Sequence, residues 1–372
     1  MIHFGDISKE EFLREYWQKK PLFIKSAIPG FISPLSPNEL AGLSCEDEFE
    51  SRIIKGSVKN NLWTLENGPF NDKSFKNTPN NEWTLLVQGV DKHVQEIYEL
   101  IDEFNFIPRW RFDDVMISFA SLGGSVGPHY DHYDVFLLQG HGKRKWQISS
   151  IDCNPSNYVP SSPLRIMKNF EIETTWVAEP GDIVYIPPGI AHHGESTDNE
   201  CITLSIGYRS YSANEMLESL ELITDDDNNS YYKDPLWLDQ QGSAEIPNSA
   251  IEKLIKLTKN NKLSDTFFGC FVTKLDPLDE EKLNDVVAFN SPLIIKDSLT
   301  YSLHPLSRIA YQFIDKVLVV FLNGNTLQIN DIHDDLIIEF CNTRRIKVTA
   351  INKALAIQFS ALLLLEETRP NN

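Results

Sequence analysis

The sequence predicts an α+β fold in which a β-barrel or double-sheet jelly roll is flanked by helices. Short apolar segments separated by Gly- and Pro-bearing turns occupy the region from 111 to 208, as expected for such a structure. Apolar residues at helical spacing precede this region and return after Ser210. A short β-hairpin and further helical stretches close the chain. These changes of pattern predict three units, at 1–210, 211–277 and 278–372.

The N-terminal region is predicted to consist of helices and turns. The segment 8–11 (SKEE) is a capping box ahead of apolar residues at helical spacing. The segment 36–39 (SPNE) repeats the signal, with proline at the first helical position. The stretch 60–83 is rich in Asn, Pro and Gly, which predicts an irregular surface connection.

The strands of the predicted barrel are short and are separated by turn residues. The candidates are 115–120, 134–138, 143–149, 183–186 and 201–208. The second and third of them are predicted to form a hairpin that turns at Gly140-His141-Gly142.

The region after Ser210 is predicted to be a helical connector. The segment 214–223 has Met and Leu at helical spacing and ends in an Asp/Asn run at 225–229, and 251–257 also has a helical pattern. We expect this connector to be an oligomerisation surface.

The tail from about 278 combines strands and helices. The segments 317–322 and 326–329 flank an Asn-Gly turn, which predicts a β-hairpin. Helical stretches follow at 334–341 and 349–365. This combination is compatible with a winged-helix module.

Composition and charge exclude several classes of protein. The chain of 372 residues has no apolar run near the roughly 18 residues that cross a bilayer, and its N-terminus lacks signal-peptide features, so we expect a cytoplasmic protein. Five cysteines without a C-x-x-C spacing argue against a disulfide framework and a cysteine-built zinc site. The net charge of −19 disfavours nucleic-acid binding. It favours a basic partner, or it serves solubility alone.

The segment Gly127-Pro128-His129-Tyr130-Asp131 is the centre of the predicted chemistry. A His and an Asp two positions apart point to the same side of an extended chain, so both His129 and Asp131 can reach one ion. A second histidine, His192, completes a facial triad if another strand places it opposite. Two imidazoles and one carboxylate suit non-haem Fe(II) and leave positions open for a cosubstrate and dioxygen.

The setting of His192 supports this interpretation. The segment 180–192 (PGDIVYIPPGIAH) contains a turn, a short apolar strand and a Pro-Pro-Gly corner before the histidine. Proline and glycine fix the backbone there, so the histidine is held in a definite direction, as a metal ligand must be. The alternative, a surface histidine that simply follows a turn, does not explain why proline and glycine constrain the backbone just before His192.

Two local ambiguities accompany the triad. His132 and Asp134 form a second H-x-D overlapping the first, and His193 competes with His192. The first pair is favoured because it follows the Gly-Pro turn directly. The spacing from the Pro-x-Gly corner favours His192.

Arg144 is a candidate for binding an anion inside the barrel. Strand alternation places Arg144, Trp146 and Ile148 on one face. If that face is the interior, the guanidinium needs an anionic partner, because an unpaired buried charge is very costly. A dicarboxylate cosubstrate would supply one. The alternative, with Arg144 facing solvent and the neighbouring lysines facing inward, is less plausible beside Trp146.

Several segments of the chain resemble the JmjC-type cupin oxygenases, and more closely the bacterial ribosomal oxygenases among them. They are GPHYDHYDVFLLQGHGKRKW, PGDIVYIPPGIAHHG and LSIGYR around the predicted site, and FLREYWQKKPLFIK and SPNELAGL near the start. The segment Tyr231-Tyr232-Lys233-Asp234-Pro235 also matches. The similarity covers the whole length, and the region beyond about 280 matches loosely.

This resemblance implies a double-stranded β-helix (cupin) core and an Fe(II)- and 2-oxoglutarate-dependent dioxygenase, with O2 as the second cosubstrate. By resemblance, His129, Asp131 and His192 take the iron positions. Arg144 takes the position that binds the far carboxylate of 2-oxoglutarate, and Ser118 matches a hydroxyl near the same carboxylate. Where the family often has an amide, this chain has Thr203, so that contact is not assigned.

The resemblance also implies the substrate and the assembly. The family hydroxylates an arginine side chain in the sixteenth protein of the large ribosomal subunit, and the acidic charge of this chain fits a cationic substrate. The region 211–277 would form a homodimer and 278–372 a winged-helix-like domain, with no direct contact to nucleic acid or membrane. Two rival functions remain: a cupin hydroxylase of another protein or a small molecule, and a non-catalytic metal-binding cupin.

Overall fold

The structure is a computed structural model that describes residues 2–59, 62–160, 162–220, 230–238, 240–259 and 263–368. The chain forms two compact units. The first contains 1–104 and 112–210, and the second contains 105–111 and 211–372. The end of the predicted helix at 214–223 and the acidic run at 225–229 lie outside the described residues. The dimerisation and winged-helix assignments stay predictions.

The described part of the first unit contains the short α-helices α1 (Lys9–Glu15), α2 (Pro37–Leu43), α3 (Asp72–Lys76) and α4 (Gln95–Leu100). Both predicted helix starts are confirmed, the second as a full capping box and the first through its Ser8 half. The Ser8 hydroxyl accepts a hydrogen bond from the Glu11 amide at 3.0 Å. Ser36 and Glu39 form both halves of a capping box, so unpaired amides at each helix start are satisfied.

Among the described residues of the first unit, twelve strands form two antiparallel sheets. The larger sheet has the order β1-β10-β7-β12-β5-β4-β2-β3 and the smaller sheet the order β6-β11-β8-β9. The strands are β1 (Leu22–Ile24), β2 (Ser51–Ser57), β3 (Leu62–Asn67), β4 (Trp83–Val87), β5 (Phe112–Ala120), β6 (His129–Tyr130), β7 (Val135–His141), β8 (Arg144–Ser149), β9 (Thr174–Ala178), β10 (Ile183–Ile186), β11 (Ala191–Ser196) and β12 (Cys201–Tyr208).

The two sheets share a core, which confirms the jelly-roll prediction. Val135 and Leu137 of the larger sheet pack in one buried cluster with Trp146 and Ile148 of the smaller one. The predicted alternation of β8 is confirmed, because Arg144, Trp146 and Ile148 are buried and the residues between them are partly exposed. The inner faces of the sheets therefore enclose both apolar packing and the guanidinium.

Two expectations for this unit are wrong. The region 62–83 is not an irregular connection, since it contains β3, α3 and the start of β4. The pairing of β3 with β2 outweighs the turn-rich composition of the region.

The second wrong expectation is the hairpin, because β7 and β8 do not pair with each other. β8 pairs with β9 and β11, so the connection at 142–143 carries the chain from one sheet to the other. A side chain at Gly142 would overlap the Glu200 carbonyl, which explains the glycine in this crossing.

The second unit combines helices with two three-stranded sheets. Its elements are α5 (Ala213–Glu218), α6 (Asn248–Thr258), α7 (Phe267–Thr273), α8 (Pro277–Phe289), β13 (Thr300–Leu303), β14 (Ile309–Ile314), β15 (Val317–Leu322), β16 (Asn325–Leu327), α9 (Asp334–Thr343), β17 (Arg345–Lys347), α10 (Lys353–Ala361) and β18 (Leu365–Glu367). The predicted hairpin of β15 and β16 is confirmed. Its turn residues Asn323 and Gly324 have φ values of 49° and 82°, as a type I′ turn requires.

A buried ion pair within the second unit gives a structural role to Asp234, which lies in the segment 231–235 that matches the family. Arg111 and Asp234 lie 2.8 Å apart, and their side chains are 2% and 0% exposed.

Within the part of the chain that the structure describes, no helix has the length and apolar character needed to span a membrane.

Candidate metal centre and cosubstrate pocket

The strand register of the smaller sheet brings the two predicted histidines together. β6 pairs antiparallel with β11, and His129 lies directly opposite His192 in that ladder. Asp131 follows β6 immediately, so its side chain leaves the same short segment as that of His129. His192 lies on a strand and not in the loop after the Pro-Pro-Gly corner, because the chain enters β11 at Ala191.

The donor atoms of His129, Asp131 and His192 converge. The Asp131 carboxylate lies 3.6 Å from Nε2 of His129 and 3.8 Å from Nε2 of His192. The ligand atoms all lie within 4.8 Å of one another, and among the described residues this is the one group of three or more that could hold a metal ion. Two imidazole nitrogens and one carboxylate oxygen are a donor set that suits Fe(II).

Backbone carbonyls orient both imidazoles toward this point. Nδ1 of His129 lies 3.0 Å from the Gly127 carbonyl oxygen, and Nδ1 of His192 lies 3.3 Å from that of Ile190. A carbonyl can only accept, so each Nδ1 carries the proton and each Nε2 keeps its lone pair. Burial, and then the neighbouring His129, lowers the pKa of His192 to about 4, so this ring is neutral, as a ligand must be.

The competing residues have other partners. Asp134 is fully buried and accepts hydrogen bonds from the Tyr185 hydroxyl at 2.5 Å and the Gln18 amide at 3.0 Å. His193 lies on the other side of β11, where its Nδ1 is 3.1 Å from the Gln147 side-chain oxygen. The structure therefore brings together the three favoured residues and leaves both rivals outside the group.

Arg144 is buried between the two sheets, and none of the described residues gives it a negative partner. Its side chain donates to the Ser118 hydroxyl at 3.3 Å, and its guanidinium lies 5.2 Å from the Trp146 ring. Burial lowers the pKa of Arg144, and no carboxylate of the described residues forms an ion pair with it. Its Nε atom is buried without a hydrogen-bond partner. An unpaired buried cation of this kind fits a site for an anionic ligand.

Thr203 belongs to the same cluster, although the sequence analysis left it unassigned. Its hydroxyl accepts a hydrogen bond from Arg144 at 3.3 Å, and Thr203 is 1% exposed. Thr203 lies directly opposite Ser118 in the β5–β12 ladder. Alternation along β12 could have revealed this shared face, but the pairing of β12 with β5 could not be read from the sequence.

An acidic group lies near the metal centre and was missed as a functional feature. Desolvation of the hydroxyl, followed by the negative charges of Asp131, Asp114 and Asp113, raises the pKa of Tyr133 above its usual range, although the residue as a whole is 41% exposed. Burial and the charge of Asp113 also raise the pKa of Asp114 to about 7. The Asp113-Asp114 pair was visible in the sequence, but its distance from residue 131 was not.

Comparison with known proteins identifies the family. A JmjC domain family matches residues 99–216. The ribosomal protein uL16 3-hydroxylase of Escherichia coli is 34% identical over 270 residues, which cover 71% of this chain and 71% of that protein. The chain belongs to the JmjC ribosomal oxygenase family. A probable ribosomal oxygenase of Haemophilus influenzae is 37% identical over 215 residues, and this match spans 52% of its length, about half.

Solved structures of the family extend the likeness over the whole chain. The E. coli protein YcfD superposes with a TM-score of 0.71 at 26% identity, covering 98% of this chain and 100% of that chain. YcfD in complex with cobalt and 2-oxoglutarate has a TM-score of 0.66 at 27% identity, covering 96% of this chain and 95% of that chain. Family membership makes this chain a 2-oxoglutarate-dependent dioxygenase that uses Fe(II), which confirms the predicted class and cofactors.

Proposed function

We propose that this protein hydroxylates an arginine side chain of a ribosomal protein, the sixteenth of the large subunit. The observation that carries the proposal is the convergence of His129, Asp131 and His192 in the same barrel as the unpaired Arg144. A relative that matches 71% of the chain bears the name ribosomal protein uL16 3-hydroxylase, which supports this class of substrate.

The three converging side chains would hold Fe(II). When bound, Fe(II) and 2-oxoglutarate would supply the oxidising chemistry for insertion of oxygen into a C–H bond. The protein contributes the fixed direction of each ligand. The Gly127 and Ile190 carbonyls set the two imidazoles, and the backbone of Asp131 is tied to the corner before β11.

Arg144 would bind the far carboxylate of 2-oxoglutarate, with Ser118 beside it. Both terminal nitrogens of the guanidinium already have neutral acceptors, yet its charge is not balanced by any described carboxylate. A dicarboxylate would neutralise it in a site that water does not reach, where a charge-assisted hydrogen bond is strong.

The acidic group near the metal supports a cationic target. Tyr133 lies near Asp131, and the negative charges of Asp114 and Asp113 also act on its hydroxyl; Asp113 itself pairs with Arg209 at 3.0 Å. A guanidinium entering here would meet the half-exposed Asp113 carboxylate and the exposed ring of Tyr133, and both kinds of group attract cations. The net charge of −19 would also draw in a basic ribosomal protein.

The test is incubation of the protein with Fe(II), 2-oxoglutarate and the candidate ribosomal protein, followed by mass spectrometry. We expect a mass gain of one oxygen atom on a single arginine, and none with His129→Ala. Turnover of 2-oxoglutarate without modification of the substrate would contradict the arginine assignment and favour another protein or a small molecule. Binding of 2-oxoglutarate without any turnover would favour a non-catalytic cupin.

The assembly is proposed on the resemblance alone. We infer that 211–277 forms a homodimer interface and that 278–372 is a winged-helix-like domain. Sedimentation equilibrium of the full chain and of a chain truncated after Ser210 tests the first assignment. A dimer that survives the truncation would contradict it.

A further inference from the structure

A chain of buried hydrogen bonds leads from Arg144 to the turn between β7 and β8. Arg144 donates to the Thr203 hydroxyl at 3.3 Å, and that hydroxyl donates to the side-chain oxygen of Gln139 at 3.1 Å. Gln139 and Thr203 lie directly opposite in the β7–β12 ladder and are 0% and 1% exposed. Since neither side chain reaches bulk water, buried protein groups decide the direction of each hydrogen bond.

The turn determines which way the Gln139 amide points. Its nitrogen donates to the carbonyls of His141 at 2.7 Å and Gly142 at 3.2 Å. A carbonyl cannot donate, so a reversed amide would set oxygen against oxygen at the turn. The amide nitrogen must therefore face the turn, and the amide oxygen must face Thr203.

The fixed amide then determines the direction of the hydroxyl. An amide oxygen only accepts, so the single proton of Thr203 is committed to Gln139 and a lone pair remains for Arg144. The hydroxyl proton of Ser118 is also committed, because Ser118 donates it to the Thr203 backbone carbonyl at 3.3 Å. Both hydroxyls beside the guanidinium are thus acceptors, and they orient it without neutralising its charge.

We propose that Gln139 is a positioning residue for the cosubstrate: it fixes the Thr203 hydroxyl as an acceptor and thereby holds the Arg144 guanidinium ready for the far carboxylate of 2-oxoglutarate. This inference rests on the proposed function of Arg144. Without the Gln139 oxygen, the Thr203 proton is free to turn toward the guanidinium. The guanidinium then loses a neutral acceptor and its preferred orientation.

The experiment measures 2-oxoglutarate binding to the Mn(II)-loaded protein by calorimetry, without turnover. Gln139→Met removes the amide at similar length, and Thr203→Val removes the hydroxyl at the same shape. Each should weaken 2-oxoglutarate binding about fivefold, the value of one ordinary hydrogen bond. Thr203→Ser keeps the hydroxyl and should bind like the wild type. The matched control is Thr84→Val, which removes a buried hydroxyl without a partner on β4 of the same sheet.

A second ligand and a double variant make the test specific. Pyruvate has the keto-acid end of 2-oxoglutarate but lacks the far carboxylate, so its binding should be the same in every variant. The double variant Q139M/T203V should bind 2-oxoglutarate no more weakly than Thr203→Val alone, because both substitutions interrupt one chain. Additive losses, or equal weakening of pyruvate binding, would overturn the inference.

Separate outcomes distinguish this inference from the proposed function. If the wild-type chain binds no 2-oxoglutarate, the proposed function falls and this inference falls with it. If the wild type binds and folded Gln139→Met binds equally well, only the inference is overturned. Should Gln139→Met fail to fold, Gln139→Asn replaces it. Its amide is one methylene too short to reach Thr203 and the turn together, and the same fivefold loss is expected.

Discussion

The backbone amide of Gly189 donates a hydrogen bond to the carbonyl of Asp131 at 2.7 Å, which ties the corner before β11 to the turn that carries the metal-binding carboxylate. Gly189 has a φ of 78°, in the left-handed region that favours glycine. The corner that directs His192 and the segment that presents Asp131 are therefore held by one backbone contact.

Substitution of this glycine should weaken metal binding as well as stability. Gly189→Ala meets no atom within 4 Å, so its effect is backbone strain of about 1–2 kcal/mol. Relief of that strain would move the Gly189 amide away from Asp131, and we expect metal affinity to fall about tenfold. Gly30→Ala is the matched control, because Gly30 has a φ of 72° and equally open surroundings. Equal metal affinity of the two variants in calorimetric titrations would refute the proposed coupling.

The two overlapping H-x-D pairs predict opposite results for two alanine variants. His129→Ala removes a converging donor, so Fe(II) binding and 2-oxoglutarate turnover should be abolished. His132→Ala should keep most of both, since His132 lies outside the three-residue group. Metal content after dialysis and the release of succinate measure the difference. The reverse pattern would move the metal centre to the second pair.

Replacement of Arg144 should separate stability from cosubstrate binding. Arg144→Met removes a buried charge that has no carboxylate partner in the described structure, so the ligand-free protein should gain on the order of 1–3 kcal/mol in its free energy of unfolding. Binding of 2-oxoglutarate should fall below detection, while metal affinity is unchanged. Urea unfolding and calorimetry measure the two effects. A strongly destabilised Arg144→Met would show that the guanidinium supports the fold and not a ligand.

The raised pKa of Asp114 predicts that the free energy of unfolding depends on pH. Its pKa is raised from 3.8 to about 7, chiefly by burial, so its charged form is disfavoured in the folded state. The folded chain therefore loses stability as pH rises from about 4 to 7, by up to about 4 kcal/mol at 1.36 kcal/mol per unit. Asp114→Asn keeps one oxygen for the Gly89 amide and should remove this loss. Parallel stability curves for the two proteins between pH 4 and 7 would contradict the prediction.

Much of the local structure could be predicted because it depends on neighbouring residues. The strand at 183–186, the strand at 201–208 and the Asn-Gly hairpin have the predicted bounds or turn. The prediction of an irregular connection at 60–83 was wrong because the structure there depends on pairing between strands. Its composition favours turns. The segment 62–67 is a strand because it pairs with β2, and its own residue pattern does not show that pairing.

The sequence by itself determined the donor types and their spacing: the His129–Asp131 pair on one extended segment, the constrained corner ahead of His192, and the buried face of Arg144. Only the tertiary structure decided that β6 pairs with β11 and that the chain crosses between sheets after Gln139. The first pairing places His192 opposite His129, and the pairing of β12 with β7 places Thr203 between Gln139 and Arg144. Strand register and sheet packing join residues far apart along the chain, and no local pattern encodes which strands become neighbours.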